Sequence, residues 1–405
     1  MSNTPAVRFL DRTTPPHILT LILISGISTL SMNVFLPSLP SMTDYFNTDY
    51  GLMQLSVAIY LAVNAVLQLI VGPLSDRYGR RPITLAGVFI FILASLGCLF
   101  ANSVEVFLIM RMIQAAVVVG MVLSRAVVRD MVPQDQAASM IGYVTMGMAI
   151  VPMLGPAIGG ALGEAFGWQA NFWLLAISGA LILWLVWADL GETNASKSGS
   201  FSEQVRQYPE LLASQRFWGY CAAAAFGSGA FFAYLGGAPF VGDRIYGLSE
   251  TEVGLYFGAP AFGYLTGNFI SGRYSARLGI NLMILVGAII LVMGMAILLL
   301  TYVSGRDSAQ IFFAFMTLVG LGNGLVMPNS NAGQLSVRPH LAGSASGLGG
   351  AIMIGGGAAL SAFAGALLTE QTGALPLILI MLVTSVFSLV SILWVYARER
   401  NLREA

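Results

Sequence analysis

Residues 72–82, GPLSDRYGRRP, set one acid among three arginines between two long apolar runs. Asp76 can pair with Arg80, and Arg77 and Arg81 flank that pair. Such a cluster does ion-pair chemistry, with bonds that form or break as neighbouring elements move. A second charge, Arg111, lies alone inside an apolar run. An unpaired arginine there costs several kcal/mol, so it must face an interior and find partners. Asn33 places an uncharged amide in the first apolar run, one turn before the exit FLPSLP. An amide donates and accepts hydrogen bonds but cannot titrate.

Other chemistries lack their residues. His17 and His340 stand at the edges of apolar runs with no ligand cluster near either, and Cys98 and Cys221 lie inside runs in different halves of the chain. Neither a metal site nor a disulfide framework is expected. No glycine-rich loop leads into a Lys-Ser/Thr pair, so ATP-driven pumping has no motif. No catalytic constellation is present; an enzyme is not expected, nor a cofactor. The formal net charge is zero, so no field argues for nucleic acid.

The elements that must hold these residues follow from composition. The 405 residues are 57% hydrophobic and 9% charged, where soluble proteins carry about 25% charged residues. The chain is therefore an all-α integral membrane protein. Twelve apolar runs reach the length of a transmembrane helix: 16–38, 50–72, 82–101, 104–124, 138–162, 169–189, 216–239, 251–271, 280–302, 309–330, 344–368 and 374–396. Runs this long, without alternation, argue against a barrel. Arg8 and Arg12 precede the first run, which continues from Ile18 to Ser38 with no small-residue cleavage site; it reads as a retained helix, not a signal peptide. An even number of spans puts both termini on one side. Of the 19 lysines and arginines, all but Arg111, Arg244 and Arg306 fall on that side, so both termini are expected in the cytoplasm.

The longest polar stretch, GETNASKSGSFSEQVRQYPELLASQR, splits the spans six and six. The expected division is 1–190 and 216–405 with a cytoplasmic linker at 191–215. SDRYGRR (75–81) and SGRYSAR (271–277) match at an offset of 196, each between the second and third spans of its half. Two pseudo-symmetric six-helix bundles around a midplane site make a transporter architecture.

GPLSDRYGRR resembles the signature loop of the major facilitator superfamily. RMIQA (111–115) is similar to that superfamily's basic motif, and GMAIVPMLGPAIGG (147–160) to the span-5 signature of its drug-exporting antiporters. FLPSLP (35–40), SRAVVRD (124–130), GLVMPN (324–329) and AGSASG (342–347) resemble the bicyclomycin- and chloramphenicol-resistance (Bcr/CflA) branch. The resemblance implies the major facilitator fold, a monomer, the bacterial inner membrane, and export of a small molecule with protons as the coupling ion. It implies for Asp76 with Arg80 and Asp130 a latch on the cytoplasmic face, and for Arg111 with Gln114 a part in coupling or substrate orientation. Gly72 and Gly79 would give that loop its close approach and tight turn. In span 5, Gly147, Gly155, Gly159 and Gly160 let another helix come near, while Pro152 and Pro156 bend the helix, a hinge and seal on the outer side.

One position departs from the branch: relatives usually carry an aspartate where this chain has Asn33. No other acid lies near mid-membrane. Three readings stay open: a substitution that imitates the protonated state, coupling through Asp76, Asp130 or a charged substrate, and an uncoupled facilitator or importer on the same fold. For the substrate cavity, Tyr60, Asn64 and Gln68 share one face of span 2 at four-residue spacing, and Met146, Phe226, Phe231, Phe232, Tyr234, Asn323 and Asn329 extend the lining. Such a surface suits a small amphipathic organic molecule, neutral or anionic beside Arg111.

Overall fold

In a bilayer a backbone satisfies its own polar groups only as a helix or a closed barrel, and the long apolar runs here become helices. The computed structural model describes residues 7–132, 140, 144, 151, 154–194, 208–338 and 341–404, and no strand occurs among them. Helix α1 (Ile18–Asn33) passes through a 3₁₀ turn at Leu36–Ser38 into α2 (Leu39–Tyr45). Then come α3 (Tyr50–Tyr78) and α4 (Arg80–Leu99). The next crossing is α5 (Val104–Gln114) and α6 (Val118–Met131), joined by a 3₁₀ turn. Helix α7 covers 154–166 and α8 is Gln169–Asp189. The second half runs α9 (Gln215–Phe240), a π-turn (Val241–Ile245), α10 (Glu250–Tyr256), α11 (Gly258–Leu278), α12 (Ile280–Val303), α13 (Ala309–Val337), α14 (Ala342–Leu367) and α15 (Leu375–Glu404).

Ten of the described helices are long and apolar enough to cross a membrane, against twelve expected windows. The window 138–162 is described only in part. The window 251–271 falls on α10 and α11, which carry polar groups that turn inward; Ser271 of α11 accepts Nδ2 of Asn329 from α13 at 2.8 Å. Inward polar groups lower the mean hydropathy of a crossing without exposing it to lipid. Large apolar side chains, including Trp173, Trp184, Trp187, Trp218 and Trp394, are exposed on the outside of the bundle.

Alternate crossings define two faces. The terminal face carries both chain ends; the other is called distal here. At the distal face the side chains of Asp49, Ser103, Ser249 and Ser308 accept backbone N–H groups and start α3, α5, α10 and α13. At the terminal face α3 turns into α4 at Gly79 (φ +103°), and α11 into α12 at Gly279 (φ +84°), conformations that favour glycine. Each glycine N–H donates to a serine carbonyl, Ser75 or Ser275, at 2.9 Å. Gly79 therefore corresponds to Gly279, whereas the repeat at an offset of 196 sets it against Ser275. The sequence identities lie about one helical turn out of structural register.

Helix α1 packs on α6 and α8, and α4 on α8; in the second half α9 packs on α14 and α15, and α13 on α11 and α12. Helices α3 and α14 pack together from opposite halves.

Candidate substrate site and gates

Arg111 lies in the last turn of α5, just before the crossing tightens into its 3₁₀ turn, and is fully buried. Its Nη1 donates to Gln114 Oε1 and, at 3.3 Å, to the Ser31 carbonyl; Nε donates to the Ser56 carbonyl at 3.4 Å. The guanidinium carbon lies 4.3 Å from the Phe35 ring centroid and 4.4 Å from that of Tyr60. Gln114 is fixed in turn, donating Nε2 to Ser95 Oγ at 2.7 Å. Carbonyl dipoles and two ring faces thus meet the charge, with no carboxylate paired to it among the described residues. Nη2 has no partner among the described residues, and neither do the nearby Ser31 and Ser56 hydroxyls.

Asn33 does not bond Arg111. Its Nδ2 donates back to the Thr29 carbonyl at 3.1 Å, and its buried Oδ1 is unpartnered among the described residues. On α3, Tyr60 donates to the Ser28 carbonyl of α1 at 3.3 Å, while Gln68 donates to Asn64 Oδ1 at 2.8 Å, linking two of the three residues on the polar face. Arg125, two turns before the end of α6, has an unpartnered buried Nε among the described residues.

The second-half candidates scatter more widely. Phe231 lies against Phe232 and Tyr234, and Phe226 against Phe387 of α15. Tyr234 is fully buried inside the second half against Phe257 and Phe313, with its hydroxyl unpartnered among the described residues. It fills the core of that half. Asn323 bonds back to the Val319 carbonyl, its buried Oδ1 unpartnered among the described residues, while Asn329 holds α13 to α11. Met146, Gly147 and Pro152 lie outside the described residues.

At the terminal face Arg80 joins Asp76 Oδ1 at 2.5 Å and Asp130 Oδ2 at 3.0 Å, and also donates to Ser75 Oγ. All of these belong to the first half. The segment after α8 straps them: Glu192 accepts the backbone N–H of Arg80 at 2.9 Å, Thr193 donates to Asp130 at 3.1 Å, and Asn194 to the Asp76 carbonyl at 2.9 Å. Glu192 sits at the N-terminus of α4, where a carboxylate is favoured. Arg81 donates to the Leu190 and Trp187 carbonyls, and Arg77 lies over the Tyr78 ring. Gly72 has open space beside it, so no close approach uses it in this arrangement.

Among the described residues, the hydrogen bonds and ion pairs between the halves gather at the distal face. Tyr50 donates to the Gly236 carbonyl at 2.6 Å, and Gln54 to Ser361 Oγ at 2.6 Å. Arg244 Nη2 meets both carboxylate oxygens of Asp44 at 2.6 Å. Ser38 donates to Glu250, and the Thr251 N–H donates to Glu164 at 3.1 Å. Around these bonds the span-5 glycines touch α10: Gly160 leaves no room for a Cβ against the Glu250 carbonyl, nor Gly254 against that of Pro156. Gly159 meets the Val34 carbonyl in the same way, and Gly155 faces Leu30.

Several of these acids escaped the reading by membrane depth. Asp189 is fully buried and accepts the Leu10 and His17 N–H groups and the Thr20 hydroxyl. Glu399 gathers Arg216, Tyr220 and Asn281 at the matching end of the second half. Near Glu250 the local sequence signal is the S-x-x-E capping box of Ser249 and Glu252, which marks a helix start and not the seal.

A bundle bonded between its halves at one face, with the ion pairs found among the described residues of the other lying within a half, and with a buried arginine between, belongs to the class of alternating-access membrane transporters. The profile described as Major Facilitator Superfamily matches residues 21–362. The chain belongs to that superfamily. It is 31% identical over 364 residues to the MFS-type transporter YdgK of Bacillus subtilis, covering 88% of this chain and 89% of the relative. It is 30% identical over 326 residues to a chloramphenicol resistance protein of Pseudomonas aeruginosa, covering 78% and 76%. It is 26% identical over 390 residues to a bicyclomycin resistance protein homolog of Haemophilus influenzae, covering 95% and 97%. Among solved structures, a bacterial homolog of the human lysosomal transporter Spinster, inward-facing and occupied, superposes with a TM-score of 0.74 at 18% identity, covering 95% and 96%. The chain is a multi-pass membrane transporter, not an enzyme.

Proposed function

We propose that the protein exports a small amphipathic organic molecule, neutral or anionic, by alternating access across the bacterial inner membrane as a monomer, with both termini cytoplasmic. The terminal face is then the cytoplasmic one, a reading supported by the arginine distribution. The observation that carries the reading is Arg111. It is a fully buried cation with one nitrogen unpartnered among the described residues, beside the Ser31 and Ser56 hydroxyls, which are likewise unpartnered there. Those donors and acceptors suit a ligand with a few polar groups on an apolar body. The unpartnered Arg125 nitrogen adds positive character on the cytoplasmic side. Relatives named for chloramphenicol and bicyclomycin resistance support export of drug-like molecules. The split at 1–190 and 216–405, with Asp76, Arg80 and Asp130 as a latch, belongs to this reading.

Proton antiport is the coupling we infer. A second reading, uncoupled facilitation, rests on Asn33: the family resemblance implies an acid at this position, and an amide cannot titrate. Drug-induced proton release from inside-out vesicles tests the two, using a panel of phenicols, bicyclic and sulfonamide antibiotics and small organic acids. Release with any member supports antiport. Drug movement without release supports the facilitator.

A further inference from the structure

At the distal face Glu250 reaches from the second half into the first. Its carboxylate accepts the Ser38 hydroxyl, and Ser38 accepts Nδ2 of Asn171 at 3.2 Å. Gly163 has no room for a Cβ beside that carboxylate, so Glu250 lies pressed on the α7 backbone, half-buried.

The charges around it come from each neighbouring element. Helix α7 offers Glu164, which caps the Thr251 N–H. The π-turn offers Asp243 and Arg244, but Arg244 is held by Asp44 at 2.6 Å and by Asp243 at 3.0 Å. The turn after α1 offers the Ser38 hydroxyl, α2 the Ser41 hydroxyl, and α8 the Asn171 amide. On its own helix, Glu252 is turned to the Ser249 N–H. Glu250 thus faces two carboxylates, and no cation pairs with it among the described residues. Burial pushes its carboxyl above the ordinary range, Asp243 and Glu164 push the same way, and the Ser38 and Ser41 hydrogen bonds oppose them.

Asn171 supplies an independent observation. Its Oδ1 is buried and has no partner among the described residues. A proton on Glu250 reverses the chain of bonds: Glu250 donates to Ser38 Oγ, and the freed Ser38 hydroxyl donates to Asn171 Oδ1 after an amide flip.

We propose that Glu250 is a proton-binding site of the distal seal, and that the bound proton holds the two halves together there. When the halves part, Glu250 meets water and returns to the ordinary carboxylate range. The closed state then binds the proton more tightly, so acid favours closure. Rising pH through the raised range of Glu250 favours opening. The ratio of open to closed changes about tenfold for each unit by which the two states' pKa values differ. The inference goes beyond the export assignment, since it needs parting at the distal face but no particular substrate.

Spin labels test it on the exposed distal turns of each half, at Asn102→Cys and Gln371→Cys; the native Cys98 and Cys221 are buried. Double electron–electron resonance on the protein in lipid nanodiscs, titrated from acid to alkaline, should show the short distance giving way to a longer one. Glu250→Gln should hold the short distance at every pH, and Glu250→Asp should still respond. Glu164→Gln removes a like charge and should move the midpoint to lower pH. A wild-type distance indifferent to pH, or a Glu250→Gln protein that follows pH like wild type, overturns the proposal. Opening caused by chloramphenicol but not by pH sinks the proton site and leaves export standing. A pH response with no transport of any panel drug does the reverse.

Discussion

Gly160 and Glu250 meet backbone to backbone across the two halves, with no space for a Cβ between them. The contact makes the span-5 glycine run a docking surface for the start of α10. Gly160→Ala should therefore prevent full distal closure. Transport should fall by roughly tenfold while the protein still folds, because one misplaced methyl against backbone forces a shift that core packing resists. Efflux assays beside distal spin-label distances will show it. Wild-type activity and an unchanged distance would mean that the seal does not depend on this approach.

Arg111→Lys keeps the charge but loses the fork that reaches Gln114 and two carbonyls at once. A point charge does not replace a planar guanidinium held between two rings, and transport should drop about tenfold or more. Detergent-solubilised yield and melting temperature should stay near wild type. Normal efflux by Arg111→Lys would show that the charge alone suffices.

Asn33→Asp puts a titratable group beside a buried, unpartnered position. Unlike the amide, a carboxyl group there can bind and release a proton as substrate arrives. If the first-span acid is the coupling site, this variant should release protons on drug addition more strongly than wild type. Equal signals in both proteins would place coupling elsewhere.

The distal contacts differ in strength. Tyr50→Phe removes a buried hydrogen bond to the Gly236 carbonyl and should weaken closure by about 1 kcal/mol. Asp44→Ala breaks a solvent-exposed pair with Arg244 and should matter by less, roughly 0–1 kcal/mol, with the effect fading at high salt. Open-to-closed ratios at low and high ionic strength will rank them; a larger, salt-resistant loss in Asp44→Ala would reverse the order.

Much of this was legible because apolar length and arginine placement are local properties. Ten of the twelve expected spans, the Asp76–Arg80 pair and the buried Arg111 followed from short windows. The distal seal did not. Ser38 and Glu250 are 212 positions apart, and no local pattern marks a carboxylate that will be pressed against another half. Judging acids by depth alone also passed over Asp189 and Glu399, which stand at span ends yet bind several partners. The repeat misled in a different way: chance identities at an offset of 196 obscured the true correspondence of Gly79 with Gly279, which backbone conformation reveals.

Asp189 has a bearing on how the protein is made. Its carboxylate clasps the N–H of Leu10 and His17, the second lying 172 residues earlier in the chain. Ribosomes add about 5–20 residues per second, so the opening segment waits roughly ten to thirty seconds before its anchor exists. During that interval the first span sits in the bilayer without its final partner. The first bundle is completed by its last span, and a ribosome stalled before residue 189 would leave the beginning of the chain untethered.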